Sequence, residues 1–310
     1  MEKNSKKPSV IITGNTGMLA RAFVQVAQPF YEVVGVARRE SPGGIVCDLS
    51  KEEQVDGFFE KHHPAFVVHA AAYSDVDGCE RNPAAAYESN AQATKFLSKA
   101  CEKHRIPWIY VSTDYVFDGR KRSLYKEEDA VAPVNIYGMT KLAGEHYAKN
   151  SAVSSVIVRT SWLFGHGNNP HNFVSAILER FKKDDKIQVL DDQTDCPTNM
   201  KDLSEALIGI GKQLVERSKK SGTPWHDLFH ICNTGPATRY EMTLRMKEWL
   251  DLKQVKVEKA DRSQIKNRLA IRPAYVAMST ERYERFSGAK MRPWQESLKE
   301  YLNETVSCAS

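Results

Sequence analysis

The chain has 310 residues, a formal net charge of +5, 41% hydrophobic and 27% charged residues. These values are ordinary for a globular chain, with length enough for two packed lobes or one large α/β domain. A mild charge without dense basic clusters among aromatics excludes nucleic acid as an implied partner, and no apolar run approaches the roughly 20 residues of a membrane span.

Taken in order, polar Met1–Pro8 leads into no signal-peptide core. Ser9–Thr13 is a β-branched apolar run that enters Gly14-Asn15-Thr16-Gly17-Met18-Leu19-Ala20, and Leu19–Gln28 has helical character. Strand, glycine turn and helix in succession are the context of a phosphate-cradling loop. Gly14 permits the sharp turn and Gly17 lets backbone approach a pyrophosphate, so Gly14, Asn15, Gly17, Met18 and Leu19 are assigned to a dinucleotide. The second strand, Glu32–Ala37, ends in Arg38-Arg39 where an NAD site carries an acid. Arginines there suit a 2′-phosphate and so NADP(H); two surface arginines are the plainer reading.

Ile45-Val46 is a short strand, and Asp48-Leu49 after it is placed at the adenine. Glu52–His63 reads as an amphipathic helix and Phe66–Ala70 as a buried strand ending in Ala70-Ala71-Ala72. Small residues at that carboxyl edge let a ligand lie against the backbone. A long helix over Glu80–Lys103 precedes the Pro107–Val111 strand, which delivers Ser112-Thr113-Asp114-Tyr115 to the same edge. A hydroxyl there would bind a substrate carbonyl, although such residues also commonly cap the next turn.

Tyr137 and Lys141 stand four apart in a predicted helix, Tyr137–Asn150, and therefore on one face. A neighbouring ammonium favours phenolate and would draw the Tyr137 pKa down toward the working range. Further on, Val156–Thr160 is a strand, Gly165–Pro170 a loop over the pocket, Asn172–Phe181 a helix and Ile187–Leu190 a strand. His166 and His171 read as loop polar groups, since no Cys or carboxylate completes a metal site. Lys201–Val215 is a helix returning to the first lobe, and Leu228–Ile231 a strand. Tyr240–Leu250 is an amphipathic helix with Met242, Leu244, Met246, Trp249 and Leu250 toward the core. Residues 251–275 are polar and irregular, ending in Arg272-Pro273, and Pro293–Asn303 is a closing helix. The six cysteines are scattered, without C-x-x-C spacing, and read as free thiols of a cytoplasmic chain.

The ordered set Gly14-x-x-Gly17-x-x-Ala20, His69–Ala72, Ser112–Phe117, Tyr125-x-Glu-Glu-Asp129 and Ala132-Pro133 resembles the extended short-chain dehydrogenase/reductases, and within them the dTDP-4-dehydrorhamnose reductase group. Tyr137-Gly-x-Thr-Lys-x-x-x-Glu145, Arg159–Trp162, Asn172-Phe173, Asp192-Gln193 and Pro197-Thr198 continue the match. Two departures are Ala20 for the third glycine and Asp195-Cys196 where a glycine and an apolar residue are usual. The resemblance implies an α/β fold: a doubly wound parallel (Rossmann) sheet over 8–165 plus about 199–245, with a smaller discontinuous C-terminal substrate lobe of 166–198 plus about 246–310. It implies NADPH-dependent reduction of the 4-keto group of a nucleotide-activated 6-deoxysugar. Thr113, Tyr137 and Lys141 would be catalytic, and Thr113, Tyr115, Trp162, Asn172 and Arg272 would meet the substrate. Arg272 would take a diphosphate oxygen; a surface arginine is its plainer reading. Tyr115–Gly119, Lys126–Asp129 and Thr238–Met242 are also similar to the non-catalytic regulatory β subunit of methionine adenosyltransferase. On that second reading the chain binds NADP and its partner is the catalytic subunit of that enzyme. Oligomeric state is not legible, a homodimer being one option.

Overall fold

The computed structural model describes residues 7–165, 172–220, 222–260 and 268–307; His166 and His171, and with them most of the predicted loop, lie outside this range. Seven parallel strands form the central sheet: β1 (Ser9–Thr13), β2 (Glu32–Ala37), β3 (Gly44–Val46), β4 (Val67–His69), β5 (Trp108–Thr113), β6 (Ser155–Thr160) and β7 (His226–His230). Their order is β7-β6-β5-β4-β1-β2-β3. The chain runs outward from β1 through β2 to β3 and returns to the other side of β1 at β4. The carboxyl end of the β1/β4 junction is therefore the switch point at which open α/β sheets bind ligands.

Side chains alternate along each strand, and the two faces bury against different helices. Val10, Ile12, Val68, Ile109 and Val158 pack with Leu19, Phe23, Leu203 and Leu207 of the helices Met18–Ala27 and Met200–Lys220. Ile11, Val67, Trp108, Tyr110 and Ile157 pack with Val55, Phe58, Phe59 and Leu97 on the opposite face. A third cluster joins Phe164, Ile177, Ile187, Met242, Met246, Trp294 and Leu298 away from the sheet.

Several local expectations are corrected. The helix expected over Glu80–Lys103 is broken into Val76–Arg81, Pro83–Tyr87, a π-turn Glu88–Gln92 and Ala93–His104. Pro83 cannot continue a preceding helix, and the Asn82 side chain accepts the Ala85 N–H to start a new one. Residues 251–275 are not wholly irregular: Lys256–Ala260 is a strand paired in parallel with Lys186–Leu190. In the helix Arg239–Trp249, Met242 and Met246 point inward, one turn apart, whereas Leu244 stands on the other side and is exposed.

Candidate active site

The glycine turn is built for close approach. Gly14 has φ of 81°, and a Cβ there would sit 3.0 Å from the Ala71 Cα. Gly17 caps the following helix without any side-chain hydrogen bond, and no acid occupies the first turn, so the first N–H groups are left for an anion. Thr13 fixes the opposite wall: its hydroxyl accepts the N–H groups of Ala70 and Ala71 at 3.1 and 3.0 Å and bonds His69 Nδ1 at 2.8 Å. Burial depresses the His69 pKa to about 3, which keeps the ring neutral in that role.

Two adjoining cavities open at this edge and share Gly14, Thr16, Ala71 and Ala72. The first, about 470 Å³, is lined by Arg38, Asp48 and Leu49. Among the other residues expected at a dinucleotide, Met18, Leu19 and Ala70 line the second cavity, of about 450 Å³, together with Gly17. Arg39 is exposed and belongs to neither wall. The Asn15 amide is turned away to the Ser41 hydroxyl at 3.0 Å.

The second cavity gathers Thr113, Tyr115, Tyr137, Lys141, Trp162 and Asn172. β5 brings Thr113. The helix Ile136–Lys149, whose N-cap Asn135 accepts the Gly138 N–H, brings Tyr137 and Lys141 on one face. That helix is pinned by a buried bidentate pair, Arg159 to Glu145 at 2.8 and 2.7 Å, with the Ser112 hydroxyl adding 2.6 Å. Glu145, Arg159 and Ser112 are thus scaffold rather than reacting groups.

The electrostatics differ from the expectation of a depressed phenol pKa. Burial raises the Tyr137 pKa, and the Thr113 hydrogen bond only partly opposes it. Lys141 is 2% exposed, donates to the Val111 carbonyl at 2.8 Å and lies 4.1 Å over the Tyr110 ring. Burial brings its pKa down to about 7, with Glu145 acting the other way. The resting state is therefore a protonated phenol beside a lysine that titrates near neutrality.

Asn172 caps the helix Phe173–Lys183 through the Ser175 N–H at 2.8 Å. Arg272 is committed elsewhere: Asp77 accepts from it at 2.6 and 2.7 Å, and Arg272 is not among the residues lining either cavity. Two expected motif residues act indirectly, since Arg268 donates to Asp192 at 2.7 Å and to Gln193 at 2.6 Å, and Gln193 donates to the Tyr115 hydroxyl at 3.1 Å.

Three features carried no sequence signal. Asp195 is fully buried against Asp114, and the Thr113 hydroxyl donates to Asp114 at 2.8 Å. Burial raises both carboxyl groups, Asp114 to about 6 and Asp195 well above the usual range, and so favours the protonated form of each. Trp162 sits at φ of 33°, a left-handed backbone retained in the cavity wall. Arg239 also lines that wall. The capping box Thr238-x-x-Glu241 marks where its helix begins but not what that end faces.

Residues 8–307 match the family described as RmlD substrate binding domain. The chain is 30% identical over 299 residues to the spore coat polysaccharide biosynthesis protein SpsK of Bacillus subtilis, covering 96% of this chain and 98% of that one. It is 31% identical over 305 residues to a dTDP-4-dehydrorhamnose reductase of Mycolicibacterium smegmatis, covering 97% of this chain and 87% of the relative. The crystal structure of dTDP-4-dehydrorhamnose reductase from Bacillus anthracis in complex with NADP superposes with a TM-score of 0.84 at 29% identity, over 96% of this chain and 99% of that one.

Proposed function

The chain belongs to the RmlD substrate binding domain family, and on that premise we propose that it is an NADPH-dependent reductase of the 4-keto group of a nucleotide-activated 6-deoxysugar. The observation that carries the reading is the meeting of Thr113, Tyr137 and Lys141 in the second cavity, which adjoins the glycine-turn groove. The two cavities together suit NADP: the second carries a helix N-terminus without a cap for the pyrophosphate, both share Ala71 and Ala72 as a flat floor, and the first carries Arg38 for a 2′-phosphate. Bound there, the dinucleotide supplies the hydride.

The chain's own residues supply the rest. Tyr137 holds a proton at its phenol oxygen, and the raised pKa keeps that proton in place until a carbonyl oxygen gains charge. Thr113 bonds the phenol and holds its orientation. The ammonium of Lys141, one turn along, stabilises the phenolate left behind. Trp162, Phe173 and Asn172 close the far wall around a sugar. The sheet domain is assigned the cofactor and the C-terminal lobe the substrate. The five described cysteines are all buried free thiols, which supports a reducing cytoplasm. No helix among the described residues is long and apolar enough to cross a membrane. No observation favours the regulatory-subunit reading.

The test is Tyr137→Phe. Turnover of NADPH with a 4-keto-6-deoxy nucleotide-sugar should drop by roughly 10²–10⁴-fold, the worth of a positioned general acid, with NADPH affinity retained. Wild-type turnover in this variant would remove the phenol from the chemistry.

A further inference from the structure

We propose that Arg239 is the side chain that takes the diphosphate of the nucleotide-sugar, a role that rests on the substrate class inferred above. The cations around the second cavity are almost all satisfied. Arg159 is paired with Glu145, Arg268 with Asp192 and Arg272 with Asp77, and Lys141 donates to a backbone carbonyl. Arg239 differs. Its Nε is buried without a hydrogen-bond partner, and no ion pair or hydrogen bond to its guanidinium is present among the described residues. Its planar head lies 5.1 Å from the Trp162 ring and 5.3 Å from the Phe173 ring, both walls of the cavity.

A guanidinium removed from water without an ion-pair partner is costly, and the more distant Asp195 carboxyl and the ring faces offset only part of that. The cost shows in its basicity, which burial lowers. Tyr115 and Asp195 act the other way, while Arg268 and Arg272 add positive charge near this wall. Two other polar atoms at the same cavity, Trp162 Nε1 and Thr160 Oγ1, are likewise buried without partners. Such a wall is incomplete until an acceptor with full negative charge arrives. In a neutral 6-deoxysugar linked to a nucleotide, the diphosphate is the group that carries that charge. Its oxygens match the planar fork of Arg, which here lies against two rings. Arg272, the arginine that sequence alone offered for this role, already has its counter-ion in Asp77.

The experiment is calorimetric titration of dTDP and of thymidine into the NADP-loaded protein. The wild type should bind dTDP much more tightly than thymidine. Arg239→Met should weaken dTDP by tenfold or more and leave thymidine and NADP unchanged, while Arg239→Lys, which keeps the charge, should recover part of the loss. Unchanged dTDP affinity in Arg239→Met, with NADP bound as in the wild type, overturns the assignment. So does a Lys variant, intact toward NADP, that loses dTDP as completely as a Met variant. A wild type that binds NADP but neither dTDP nor thymidine refutes the substrate class itself, an outcome distinct from a failure at Arg239 alone.

Discussion

Lys141→Met should make the protein more stable and less active, and the gain should fade as pH rises. Lys141 is 2% exposed and its pKa is brought from 10.5 down to about 7 by burial. The gap corresponds to a penalty on the order of 5 kcal/mol for keeping the ammonium in the folded state. Because the folded pKa is lowered, the unfolded chain holds this proton across the window from about 7 to 10.5. Stability therefore rises with pH in that window, and the penalty is complete below it. Methionine removes the charge but strands the Val111 carbonyl, which now accepts from Lys141 at 2.8 Å; losing that partner costs about 1–3 kcal/mol. The net gain at pH 6 should be roughly 2–4 kcal/mol, a rise in Tm of several degrees. At pH 9 the remaining penalty is only about 2 kcal/mol, close to the lost hydrogen bond, so the gain should nearly vanish. Thermal melts of both proteins at pH 6 and pH 9 measure this, and turnover should collapse in the variant at both. A Tm at pH 6 equal to or below the wild type, or a gain independent of pH, would refute the reasoning.

Two further outcomes follow from the same geometry. Arg38→Asp should narrow or reverse a preference for NADPH over NADH by tenfold or more, since a charge-assisted contact is worth about 1.5–3 kcal/mol; equal wild-type affinities for the two cofactors would contradict this. Asp195→Asn should raise Tm more at pH 8 than at pH 5, because a carboxyl whose folded pKa is raised costs stability as pH climbs above the usual range; a larger gain at pH 5 would contradict the raised pKa.

The glycine-turn edge was legible because its signals are local. A β-branched run, two glycines and a helix lie within Ser9–Ala27, and the Ala70–Ala72 floor follows directly on β4. Tyr137 and Lys141 were legible for the same reason, as an i, i+4 pair. What escaped depends on distant partners. The Asp77 that occupies Arg272 is 195 positions away, and Asp195 meets Asp114 only once the chain has returned to the sheet. The strand Lys256–Ala260 has no apolar run of its own, and only Lys186–Leu190 beside it makes it a strand. Arg239 lay just outside the predicted helix Tyr240–Leu250, and the two rings beside it come from residues more than sixty positions earlier.

The central claim, that this fold reduces a keto sugar rather than only binding NADP, is tested most directly by mixing the purified protein with NADPH and a 4-keto-6-deoxy nucleotide-sugar and following nicotinamide absorbance. The account predicts oxidation of NADPH that requires the sugar and falls with Tyr137→Phe. Tight NADPH binding with no oxidation, together with capture of the methionine adenosyltransferase catalytic subunit, would contradict it.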